Sequence, residues 1–155
     1  LDRQVKVTEA EPGMNYALGE AQVDILGPAG EFTDNNNQSV VCKVTFGSRR
    51  FLFMGDAEKE AEDALLAAHT DLRADFIKLG HHGSSSSSQE EFLRQVAPDY
   101  AVITCGAGNS YGHPHADTLN TLKNLGITCY RCDEDGTIVV TTDGSTMDIR
   151  TQNAA

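Results

Sequence analysis

The sequence predicts an α/β fold, a mixed sheet with about three helices on one face. Two observations lead there. Three apolar runs end on glycine, at Met54-Gly55, Leu79-Gly80 and Cys105-Gly106, and each then passes into a helical pattern. Strands joined through helices are usually parallel, with right-handed crossovers. Ahead of them, residues 39–46 and 50–54 flank Gly47-Ser48. That hairpin signal sets an antiparallel pair beside the parallel strands. A chain of 155 residues is one domain's worth and can bury a core.

In chain order, residues 4–8 alternate as a strand, Pro12, Gly13 and Gly19 interrupt the next stretch, and residues 22–26 form a short strand closed by Gly27-Pro28. Residues 29–38 are rich in Gly, Asp and Asn and read as a loop. The loop divides N-terminal strands within residues 1–30 from a compact α/β unit over 35–150. The helix over 57–69 shows an apolar face at Ala57, Ala61, Ala64, Leu65 and Ala68, with Glu58 and Glu60 suiting its positive end. Phe76 to Leu79 is a buried strand. Ser88 and Glu91 fit a capping box for a helix over 89–97, which has Phe92, Leu93 and Val96 on its apolar side and stops at Pro98. Residues 100–105 form a strand and 107–115 a loop. The helix over 116–125 carries Leu119, Leu122 and Leu125 and ends at Gly126. Residues 127–132 read as a strand and 133–136 as a turn, with 137–142 pairing back. Asp143-Gly144 turns into a last strand, 147–150, and 151–155 is a polar tail.

The charge balance excludes one class of function. With 12 basic against 23 acidic side chains the net charge is −11, which opposes a nucleic-acid grip made by this surface alone. A phosphodiester substrate stays open, because bound metal ions can invert the local field. No apolar run has the length of a membrane span or the pattern of a signal peptide. The chain begins at Leu1 rather than Met, and we read it as a segment of something longer. Cys129 and Cys132 form a C-x-x-C, but in a strand such positions face opposite sides, so neither a shared metal nor a redox pair is expected. All four cysteines, with Cys42 and Cys105, read as small buried hydrophobes.

The chemistry gathers at one sheet edge. Parallel strands place their C-terminal ends together, so Asp56, His81, His82, His113 and His115 should share that edge. A carboxylate with imidazoles suits zinc, manganese or iron, and one Asp can bridge two ions. Taken singly, these residues also have plainer uses. Asp56 suits a helix N-cap. His113 and His115 flank Pro114 at a helix entry. Ser84 to Ser88 reads as a solvated tract. Ser-His-Asp catalysis ranks lower, because no G-x-S-x-G elbow is present, and neither phosphate-binding glycine motif occurs.

In order along the chain stand Phe53-Met54-Gly55-Asp56-Ala57-Glu58, Gly80-His81-His82-Gly83-Ser84, Asn109-Ser110-Tyr111-Gly112-His113-Pro114-His115, Tyr130-Arg131 and Asp133-Glu134-Asp135-Gly136-Thr137. This series resembles the metallo-β-lactamase superfamily over residues 35–143. Within it, the series is most similar to the C-terminal hydrolase domain of the ComEC competence-protein family and its stand-alone relatives. The resemblance implies an αββα sandwich and a dinuclear metal hydrolase acting on a phosphodiester, DNA during uptake. It implies Asp56 as the metal-bridging carboxylate and His81 as the ligand from the histidine pair, with His82 beside it. Ser84, Ser110, Tyr111, His113 and His115 would border the substrate cleft. Zinc or manganese is the implied cofactor.

The family's H-x-H-x-D-H signature does not occur here, and His69 is the first histidine. The chain therefore corresponds to the C-terminal half of the sandwich, with an incomplete metal site. Half a sandwich leaves a sheet face uncovered, for the missing N-terminal half, a partner chain or a second copy. The resemblance implies a membrane-anchored or secreted parent with this domain outside the cytoplasm. The alternative, from another class, is a non-catalytic domain that binds a partner or completes a larger fold.

Overall fold

The computed structural model describes residues 7–68 and 71–153. Most of the strand expected over 4–8 lies outside them, as does His69. Seven strands form one sheet in sequence order. They are β1 (Asn15–Leu18), β2 (Ala21–Gly27), β3 (Val41–Phe46), β4 (Arg49–Phe53), β5 (Phe76–Lys78), β6 (Tyr100–Ile103) and β7 (Thr128–Arg131). The first four are antiparallel neighbours and β4 to β7 are parallel. Helices α1 (Lys59–Ala67), α2 (Glu90–Val96) and α3 (Ala116–Leu125) make the parallel crossovers. Strand β2 pairs directly with β3, so the 29–38 loop is a connection within one sheet.

One face of the sheet carries the core. Leu52, Ile77, Ala101 and Cys129 stand in register across β4 to β7. They pack in one cluster with Ala61 and Leu65 of α1, Phe92, Leu93 and Val96 of α2, and Leu122 of α3. Full burial of side chains such as Phe92 and Leu93 contributes about 1.5–3 kcal/mol each. The opposite face is apolar as well. The rings of Phe51 and Phe76 meet at a tilt with centroids 5.7 Å apart, Tyr100 and Tyr130 lie at 6.4 Å, and Phe53 and Tyr16 stay exposed.

Several expectations are corrected. Residues 137–142 do not pair back on β7: β8 (Ile138–Thr142) pairs with β9 (Met147–Thr151) in a separate two-stranded sheet. The presumed turn is a short helix, α4 (Cys132–Asp135), in which the Arg131 backbone N–H donates to Asp135 Oδ2. This redirects the chain, and the β8–β9 turn docks instead on the β3–β4 turn through Ser48 N–H to the Gly144 carbonyl at 2.7 Å.

The serine tract is only partly solvated: Ser85 is exposed and Ser86 half-buried, the rest covered. Ser84, Ser87 and Ser88 are buried, because successive tight turns aim the Ser87 hydroxyl at the Gly80 and Ser84 carbonyls. The Ser88–Glu91 capping box does not form: Ser88 takes φ +60, its buried hydroxyl has no partner, and a carboxylate from α1 caps the helix instead. Pro114 stands before the first turn of α3, ahead of the N-cap His115.

Candidate functional site

Strands β4, β5 and β6 deliver their ends to one edge, as parallel order requires. After β4 the chain turns at Gly55, φ +58, where any Cβ would meet Ser39 Cβ at 2.9 Å. Asp56 follows, its backbone N–H donating to Ser39 Oγ at 3.0 Å. Asp56 is not the cap of α1. The helix begins later, and Asn37 Oδ1 accepts the N–H groups of Glu58 at 3.0 Å and Ala61 at 3.3 Å. The Asp56 carboxylate is thereby left for other work.

After β5, a 3-10 turn spans Gly80–Gly83. Gly80 sits so close to the turn ahead of α1 that a Cβ would strike the Ala57 carbonyl. His81 (φ +42) and His82 (φ +54) are both left-handed. For residues other than glycine this conformation costs about 1–3 kcal/mol each and clusters at functional sites. It sends the two imidazoles to different partners. His82 Nε2 lies 3.4 Å from Asp56 Oδ1, while its Nδ1 hydrogen-bonds the Thr104 carbonyl. His81 Nδ1 lies 2.7 Å from Glu58 Oε1 but off the line a hydrogen bond needs, so this buried nitrogen stays unsatisfied.

The loop after β6 closes over the pair. His113 sits among the other rings, 5.3 Å from His81, 6.4 Å from His82 and 4.9 Å from His115 between centroids. Burial, then the neighbouring imidazoles of His115, His81 and His82, holds it below the ordinary histidine range. His115 serves as a brace: Nδ1 accepts the Ser85 N–H at 2.9 Å and Nε2 lies 3.2 Å from the Tyr111 carbonyl. Tyr111 is exposed and stacks on His113. Ser110 is exposed, whereas Ser84 is buried beneath the edge with its hydroxyl on Ser86 Oγ. A cavity of about 400 Å³ opens beside His82, lined by Thr104, Cys105, Asn109, Tyr111, His113 and Cys132 among others.

The donor set fits part of a metal site. Two ligands about 2.0–2.1 Å from a tetrahedral zinc stand about 3.3 Å apart, close to the observed separation of His82 Nε2 and Asp56 Oδ1. A metal-binding histidine also commonly spends its other nitrogen on a carbonyl or carboxylate, as His82 does on Thr104. Among the described residues, no group of three or more His, Cys, Asp or Glu is arranged to hold an ion. The cysteines are no substitute. All four are free, and burial raises the Cys105 thiol to about 11 and Cys129 to about 12. Cys105 Sγ donates to Asp133 Oδ1, and Asp133 pairs with Arg131 at 2.6 Å, which ties the ends of β6 and β7 together.

The family model described as the metallo-beta-lactamase superfamily matches residues 24–107, just over half of the chain. The chain belongs to the metallo-β-lactamase superfamily. It is 36% identical over 135 residues to ComE operon protein 3 of Bacillus subtilis, covering 86% of this chain and 17% of that protein. It is 36% identical over 106 residues to competence protein ComA of Neisseria gonorrhoeae, covering 68% of this chain and 15% of that one. The chain thus spans under a fifth of these relatives. Among solved structures, a CmlA beta-hydroxylase mutant matches with a TM-score of 0.52 at 15% identity, over 82% of this chain and 32% of that one, and shares the fold.

The sequence passed over three residues that shape the site. From sequence, Glu58 reads only as an acid suiting the positive end of a helix. Thr104 holds His82 through its backbone carbonyl, and Lys78 Nζ donates to the Gly55 carbonyl; no residue pattern announces a carbonyl acceptor. No helix among the described residues is long and apolar enough to cross a membrane.

Proposed function

We propose that this chain is the second half of a metal-dependent phosphodiester hydrolase that acts on DNA during competence. The observation that carries the reading is the pairing of Asp56 Oδ1 with His82 Nε2 at 3.4 Å, the far nitrogen of His82 being held by Thr104. Asp56 and His82 would hold zinc or manganese together, and the buried, unsatisfied Nδ1 of His81 is a further donor. A bound divalent ion supplies Lewis acidity at a phosphoryl oxygen and a water more acidic than bulk water. The chain's own residues position that chemistry: Thr104 orients His82, Ser39 fixes the Asp56 backbone, and Tyr111 offers an aromatic face at the edge of the cleft. The similarity to a competence protein supports a role in competence, and DNA as substrate and a membrane-anchored parent with this domain outside the cytoplasm belong to the proposal.

The sheet face opposite the helices favours a partner layer. Phe51, Phe53, Phe76, Tyr100 and Val102 lie on it, with Phe53 exposed, Phe51 and Tyr100 half-buried and Phe76 and Val102 buried, and the β8–β9 hairpin starts a second sheet. The first half of the fold, bringing the absent H-x-H-x-D-H, is the occupant we infer, with a second copy of the chain as the other arrangement.

The test is cleavage of single- and double-stranded DNA and of a generic phosphodiester, with Mn²⁺ and Zn²⁺ supplied separately. It should be run on this chain and on a protein that adds the missing half. Cleavage by the longer protein, abolished in Asp56→Ala and absent from this chain, is expected. A longer protein that folds, binds no metal and cleaves nothing would favour the second reading, a non-catalytic binding or fold-completing domain. That reading draws on the lack of a three-donor group among the described residues.

A further inference from the structure

Lys78 is a cation that the site has not yet used. It lies on β5 opposite the helices, in register with Phe53 and Val102, three residues before His81. It turns back toward the sheet edge, where its Nζ donates to the Gly55 carbonyl at 2.8 Å. The same carbonyl accepts the His81 backbone N–H at 3.3 Å, and the Met54 N–H donates to the Lys78 carbonyl at 3.3 Å. The Gly55 oxygen thus joins the turn that carries Asp56 to the turn that carries both histidines. Gly55 is the residue immediately before Asp56, and its peptide plane sets the direction in which Asp56 leaves the strand. Burial holds the lysine below its ordinary range, while the Asp56 charge pulls it back. An ammonium in such a place is costly unless it is hydrogen-bonded.

We propose that Lys78 is a positioning residue: through the Gly55 carbonyl it locks the Asp56 turn against the histidine turn and so presets the Asp56–His82 pair for a divalent cation. The proposal rests on the reading that Asp56 and His82 hold that cation. The geometry of the bond supports it: a carbonyl shared by two donors is held in two directions, so the peptide cannot rotate without losing both. Residues that orient metal ligands commonly cost tenfold or more in metal affinity when removed.

The experiment uses the 155-residue chain and Co²⁺ as the probe, followed by its visible absorption, beside hydrogen exchange of the metal-free protein. Lys78→Met should weaken Co²⁺ binding about tenfold. It should speed exchange at the His81 and Asp56 amides while leaving the β6–β7 amides protected as in the wild type. A merely structural loss would loosen those strands too and overturns the proposal. So does Co²⁺ affinity within about threefold of wild type, or unchanged His81 exchange. If Lys78→Met does not fold, Lys78→Leu, which also lacks a donor, is judged by the same outcomes. Asp56→Ala in the same titration separates the two claims. Undiminished binding there removes the metal reading itself. Lost binding there, with a normal Lys78→Met, removes only the role of Lys78.

Discussion

Glu62 of α1 caps the next helix through the backbone of Ser88: its carboxylate accepts the Ser88 N–H and, at 2.9 Å, the Gln89 N–H, ahead of the first turn of α2. The carboxyl is buried, 1% exposed, and burial raises it from 4.5 to about 7 against the pull of those two N–H groups. A folded value above the unfolded one means that the contribution is full below pH 4.5 and is lost as pH rises through about 7. Relative to Glu62→Gln, which stays neutral, the wild type should lose about 3 kcal/mol of stability across that window. Urea unfolding at pH 4.5 and pH 8 measures it. A difference that does not change with pH would mean that the carboxylate is charged throughout.

Asn37 should behave as the cap of α1, although it stands 21 residues ahead of Glu58. It is 3% exposed, and its side-chain oxygen serves both Glu58 and Ala61. Asn37→Ala should cost about 1–2 kcal/mol. Asn37→Asp should recover most of that, because the acceptor remains and a negative charge suits the helix start. Thermal unfolding of the pair is the measurement, and equal losses in both variants would deny the cap.

The strand-ending glycines look alike in sequence but differ in space. Gly80→Ala would drive a methyl into the Ala57 carbonyl, whereas around Gly106 nothing lies within 4 Å. Gly80→Ala should therefore destabilise by about 1–3 kcal/mol. Gly106→Ala should change stability by no more than about 0.5 kcal/mol. Comparable effects on the unfolding midpoint would show that the turn ahead of α1 does not approach Gly80 as closely as described.

Periodicity made the central architecture legible. The runs ending at Met54, Leu79 and Cys105 became β4, β5 and β6 because their apolar residues had a helix-covered face to fill. Strand β1 was missed because all four of its residues are exposed and leave no alternation to read. The serine tract misled because hydroxyls bonded to carbonyls bury as readily as apolar groups. The capping box failed for a related reason: the winning acceptor, Glu62, arrives from 26 residues away. The sheet edge gathered its residues as the motif order implied. Which histidine would face Asp56 was not legible, since it depends on left-handed backbone at both His81 and His82.

That backbone makes the last prediction. Motif position alone favours His81 as the ligand, but the two side chains occupy different surroundings. His82 turns Nε2 toward Asp56, has its ring fixed by Thr104 and is 43% exposed, open to an incoming ion. His81 is 25% exposed and lies against Glu58. In a protein that includes the missing half, His82→Ala should cut metal affinity about 100-fold, with activity falling to match. His81→Ala should cost about tenfold, acting through the Glu58 and His113 side of the edge. Thr104 holds His82 chiefly through its backbone carbonyl, its hydroxyl lying farther off at 3.4 Å, so Thr104→Ala should leave the His82 orientation intact and affinity near that of the wild type. Metal titration of the three variants, with activity read in parallel, decides the assignment. A His82→Ala protein that keeps its metal while His81→Ala loses it would return the ligand role to His81 and leave the Asp56–His82 contact as a simple ion pair.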